Sequence, residues 1–103
     1  MSRRTLPNRR AHEVVDVEHD GQRYTLGVGR FDDGRPAEIF ITSTKVGTVA
    51  DVNARDGALC VSLLLQNGVA VDDIAHSLSP VGLLGQVTRL IAARVSEPAG
   101  SEA

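Results

Sequence analysis

Arg35 and Glu38, which follow the turn Asp32-Asp33-Gly34 and flank Pro36 and Ala37, are the charged pair this sequence orients most firmly. Proline fixes φ near −65° and has no amide hydrogen, so the chain leaves the turn in a restricted direction. A guanidinium and a carboxylate held this way suit recognition of a ligand or partner; a surface ion pair accounts for them equally. Lys45, Gly47 and Thr48 form a second group, an ammonium beside a helix N-terminus whose free amides suit an anion. A third group is Arg3, Arg4, Arg9 and Arg10, with no acid among the first ten residues. Such an arm suits nucleic-acid phosphate or an acidic protein surface.

Other residue types exclude chemistry. Cys60 is the single cysteine, so no disulfide forms within the chain and no dithiol relay is available. It falls on the apolar part of an expected helix and reads as a small core residue. His12, His19 and His76 sit on separate elements without the short ligand spacing of a metal site, so no metal is expected. Gly27-Val28-Gly29 lacks the spacing and strand-to-helix setting of a phosphate loop, and no cofactor is implied. Asp32 and Asp33 serve turn geometry.

The 103 residues are 42% hydrophobic and 23% charged, which fits one globular domain with a modest core. With only Tyr24, Phe31 and Phe40 as aromatics, that core must rest on aliphatic side chains, and base-stacking platforms are scarce. The net charge of −2 hides a basic arm on an acidic body. No apolar run has the length of a membrane span, so the expected location is the cytoplasm.

The elements that must position these residues follow from periodicity. Val15 and Val17 alternate with Asp16 and Glu18 as in a strand, and Asp20-Gly21 is hairpin chemistry. Tyr24, Leu26 and Val28 give a second strand, and Ala37 to Thr42 a third, with Phe40 on the face opposite Ile39 and Ile41 and in need of cover. From Thr48 to Gln66 the pattern becomes helical, with Val49, Val52, Leu59, Cys60, Leu63 and Leu64 as the apolar face toward the sheet. Thr48 and Asp51 resemble a capping box, Asn67-Gly68 is a stop signal, and Gly57 permits close packing. A short helix starts near Val71 with Asp72 as a capping acceptor, and a third runs from Gly82 to Arg94. The expected fold class is α+β: a three-stranded antiparallel meander, then a long helix and two shorter ones packed on one face. The expected organisation is an arm over 1–10, a domain over 11–95 and a mobile tail over 96–103.

Three blocks carry a resemblance: Leu6-Pro7-Asn8-Arg9-Arg10, Asp33-Gly34-Arg35-Pro36-Ala37-Glu38-Ile39-Phe40-Ile41, and Ser62-Leu63-Leu64-Leu65-Gln66-Asn67-Gly68-Val69. Together they resemble the TSCPD domain, found near the C-terminus of vitamin B12-dependent ribonucleotide reductases and as short free-standing proteins. The motif that names the family is missing, and Ser77-Leu78-Ser79-Pro80 occupies the comparable region without a cysteine. The resemblance therefore implies an accessory or regulatory domain whose partner is a ribonucleotide reductase or related nucleotide-metabolism protein, or which binds a nucleotide. A nucleic-acid module using the arginine arm is the alternative, and strand edges open to pairing give a third reading, a homodimer.

Overall fold

The computed structural model describes residues 12–95. Strands β1 (His12–His19), β2 (Gln22–Arg30) and β3 (Pro36–Ser43) form an antiparallel sheet in the order β1-β2-β3. Helices α1 (Val49–Gln66), α2 (Val71–Ser77) and α3 (Leu83–Val95) follow. This is the α+β meander with three helices that the periodicity predicts.

Turn chemistry sets the meander. Asp20 and Gly21 both take positive φ, 52° and 78°, as a two-residue hairpin with the right-handed twist of its strands requires. The register places Val17 opposite Tyr24 and Val15 opposite Leu26, so β1 and β2 present their apolar side chains on the same face. On β3, Ile39 and Ile41 join that face opposite Val28 and Leu26. The pairing shifts between Gly29 and Arg30, which lets Pro36 open β3 opposite Arg30.

All three helices contribute to the core over this face. Ala54, Ala58, Val61 and Leu65 come from α1, Val71 and Ile74 from α2, and Val87 and Ile91 from α3. Gly57 brings α1 and α3 together: a Cβ there would lie 2.5 Å from Leu84 Cδ1, so the close packing expected at this glycine is present and its neighbour is a leucine side chain. Helix α1 ends in a Schellman motif, with the Val69 amide on Leu64 O at 3.0 Å, the Gly68 amide on Leu65 O at 3.1 Å, and Gly68 at φ 93°.

Three expectations are corrected. The face of α1 turned to the sheet is not the Val49, Val52, Leu59, Leu63 stripe; those residues are exposed, and the buried face carries Asp51, Ser62 and Gln66 among its alanines. Cys60 is accordingly exposed, not a core residue. Asp72 does not cap α2, whose N-cap is Ala70 with no side-chain bond; Asp72 and Asp73 lie in the first turn.

The reason for the first correction is the edge of β3. An edge strand leaves alternate amides and carbonyls unpaired, and buried ones must find partners. Helix α1 runs beside that edge and supplies them. The Ile39 amide donates to Ser62 Oγ at 2.9 Å, Gln66 Nε2 donates to Ala37 O at 3.1 Å, and the Ser43 amide donates to Asp51 Oδ1 at 3.0 Å.

Candidate functional site

Asp51 is a buried carboxylate held by two backbone amides and a guanidinium. It is 1% exposed and receives the Ser43 amide on one oxygen and the Gly47 amide on the other, at 3.0 and 2.9 Å. The Gly47 and Ser43 amides hold its carboxyl below the usual aspartate range, with Arg55 Nε at 3.1 Å adding to the effect against the opposing cost of burial. Thr48 is the N-cap of α1: its Oγ1 accepts the Asp51 amide at 3.2 Å and donates to Lys45 O at 2.9 Å. The structure thus ties Thr48 to the backbone carbonyl of Lys45 across Gly47. The Gly47 amide, one of those that would greet an external anion, is however engaged by the chain's own carboxylate.

Arg35 and Glu38 are not brought together. Arg35 is bound to Asp33, through Nε on Oδ2 at 2.9 Å and through its amide on Oδ1 at 3.0 Å, and its guanidinium lies 5.5 Å from the centre of the Phe31 ring. It lines a small cavity of about 150 Å³ between Phe31, Pro36 and the α1–α2 connection. Glu38 is 7% exposed and lines a different groove, of about 220 Å³, between β3 and α1. Arg3, Arg4, Arg9 and Arg10 lie outside the described residues.

The same groove gives access to a surface that the sequence reading misplaced. Val49, Val52, Leu59 and Leu63, with Asp56 between them, recur at alternate spacings of three and four along α1 and form one outward stripe. Val49 is 76% exposed and Leu59 58%. Leu59 and Leu63 line the groove with Phe40, itself 48% exposed, so helix stripe and strand form one apolar surface. The signal was in the sequence as apolar periodicity, read there as the core face.

A larger cavity, about 520 Å³, contains none of the predicted site residues. It lies between the β1–β2 hairpin tip, the first turns of α1 and the α2–α3 connection, and includes Gln22, Tyr24, Asn53 and Ser79. The hairpin is fixed over that connection by His19 Nε2 with Val81 O at 2.9 Å and by Gln86 Nε2 donating to Glu18 O at 3.2 Å. Gly85 seats the start of α3 against it, since a Cβ there would overlap the Ser79 carbonyl. Sequence reasoning missed this site because its walls come from three distant segments; the one local signal was the polar Ser77-Leu78-Ser79-Pro80 stretch.

Comparison with known proteins decides the family, since the TSCPD domain model matches residues 3–97, nearly the whole chain. The chain belongs to the TSCPD domain family. It is similar to the vitamin B12-dependent ribonucleotide reductase of Agrobacterium fabrum (strain C58 / ATCC 33970), 34% identical over 77 residues, 75% of this chain and 6% of the relative. It is likewise similar to the vitamin B12-dependent ribonucleotide reductase of Bradyrhizobium diazoefficiens (strain JCM 10833 / BCRC 13528 / IAM 13628 / NBRC 14792 / USDA 110), 37% identical over the same length and with the same coverage. The chain thus spans about 6% of the length of these relatives. No solved structure matches it. None of the helices among the described residues is long and apolar enough to cross a membrane.

Proposed function

We propose that this TSCPD domain is an accessory docking module in deoxynucleotide metabolism, acting in the cytoplasm on a vitamin B12-dependent ribonucleotide reductase without turning over ribonucleotides itself. The observation that carries this reading is the match to only 6% of each reductase relative. In those relatives the matching segment has the rest of a large protein beside it, and an apolar face exposed on this domain is what such a neighbour would cover. The outward stripe of α1 with Phe40 is that face, and the occupant we assign to it is the reductase body. Apolar side chains at a well-packed interface supply most of the affinity, whereas exposed ion pairs such as Arg35 with Asp33 supply little.

Sulfur chemistry points the same way. Reducing a ribonucleotide consumes two electrons, which a thiol pair provides as it becomes a disulfide; with Cys60 as its single cysteine, this chain needs a partner for that step.

Immobilised domain incubated with a purified vitamin B12-dependent reductase tests the proposal. Retention of the reductase, abolished by Leu59→Ser with Leu63→Ser, is the expected result. No retention, together with reductase activity unchanged by added domain, rejects it. A concentration-dependent dimer dissolved by the same two substitutions reassigns the face to a second copy of this chain. Salt-dependent binding of nucleic acid without reductase binding would favour the arginine arm instead.

A further inference from the structure

The outward stripe of α1 contains one charge, and that charge specifies the chemistry of the segment that can cover it. The inference rests on the docking role proposed above. Val49, Val52, Asp56, Leu59 and Leu63 are separated by three, four, three and four residues, and all five are exposed. This alternation is the heptad spacing of a helix–helix seam, which a second helix covers along its length. At 1.5 Å per residue the stripe runs about 21 Å, which a partner helix of two heptads spans.

Asp56 occupies the middle of that seam. Its neighbours at three and four residues on either side are Asn53, Val52, Leu59 and Cys60, none of them a cation. Arg55, next in sequence, is held by Asp51 at 3.1 Å, and no salt bridge among the described residues includes Asp56. Apolar contact lies on both sides of it, with Val49 and Val52 before it and Leu59, Leu63 and Phe40 after it. In water this carboxylate is well solvated. Under an apolar cover it would be desolvated, and a desolvated charge without a counter-charge is strongly unfavourable.

We propose that the seam receives an amphipathic helix of the reductase body in which one lysine or arginine, set among aliphatic residues, faces Asp56. A single polar position within an apolar seam fixes register, as it does in coiled coils. A second copy of this chain fits poorly. Pairing α1 with its equivalent about a twofold axis at the centre of the stripe sets Asp56 against Asp56, and like charges repel.

Two synthetic helices of about three heptads, identical except for lysine or glutamate at the central a position, serve as probes of the full chain by amide ¹H–¹⁵N shifts. Wild type should give saturable shifts at Val52, Asp56 and Leu59 with the lysine helix, and should bind the glutamate helix more weakly by roughly tenfold or more. Asp56→Lys, at an exposed position where the helix signal should persist, should reverse that preference. Asp56→Leu should weaken the lysine helix by roughly tenfold, whereas a purely apolar cover would make this variant bind more tightly. No saturable binding of the lysine helix, equal binding of the two helices by wild type, or tighter binding by Asp56→Leu overturns the inference. Purified reductase, tested in parallel, separates the two readings. Binding of the lysine helix without retention of the reductase supports the chemistry of the seam and rejects the reductase as its source, while reductase retained equally by wild type and Asp56→Leu supports docking and overturns the facing cation.

Discussion

Helix α1 has two faces that contradict the usual arrangement. The face turned to the sheet carries Asp51, Ser62 and Gln66 between alanines, whereas the face turned to solvent carries Val49, Val52, Leu59 and Leu63. Ordinarily an amphipathic helix buries its apolar stripe. Here the inward face meets an edge strand, and an edge asks for hydrogen-bond partners as well as for apolar contact. Small alanines let the helix approach, and three polar side chains then reach backbone groups of Ala37, Ile39 and Ser43. The comparison teaches that burial follows what the neighbouring surface lacks, and that an aliphatic face can be the one left at the surface.

The contrast breaks most severely at Asp51. Replacing it with alanine leaves the Ser43 and Gly47 amides without their acceptor and removes the partner of Arg55, so this variant should show the largest loss of stability in chemical denaturation. Acid should erase much of that difference. The folded-state pKa of Asp51 lies below its unfolded value, so its contribution is fully present above roughly pH 4 and is lost as pH falls through the folded pKa. Denaturation of wild type and Asp51→Asn at pH 7 and pH 3 should show the gap narrowing at the lower pH. A gap that is constant or wider there contradicts the depressed pKa.

Ser62→Ala comes next. It strands the buried Ile39 amide at the β3 edge, and the expected cost is about 1–3 kcal/mol by equilibrium unfolding. A neutral result would mean that the edge needs no partner and that packing alone selects the inward face. The smallest effect belongs to the outward face. Leu59→Ser with Leu63→Ser should change stability by no more than about 1 kcal/mol, since surface changes are usually within about 0.5 kcal/mol each. A loss as large as that of Ser62→Ala would show that the stripe is already covered by the domain itself.

Much of the architecture is legible in residue order. Alternation in Val15 to Val17 and Tyr24 to Val28 marks strands because side chains alternate across a sheet, and Asp20-Gly21 marks their hairpin because positive φ is cheap there. Thr48 and Asn67-Gly68 mark both ends of α1 for similarly local reasons. Thr48 reaches the Lys45 carbonyl because the two are neighbours in the chain. Local signals stop short of other facts. Nothing near Asp51 says that its second and third partners are the Ser43 and Gly47 amides rather than the Thr48 amide of a capping box, and nothing near Cys60 says that the apolar side of its helix is the outer one.

What the sequence determined by itself is the set of strands, turns and helix ends, together with the solitary thiol, which rules out a disulfide within these 103 residues. Tertiary structure decided which face of α1 is buried, where Arg35 and Glu38 part company, and that the hairpin tip, α1 and the α2–α3 connection enclose a cavity. The physical reason is one of range. Dihedral preference and periodicity act over a few residues, whereas the match between the β3 edge and the polar side chains of α1 exists only once distant segments have been laid side by side.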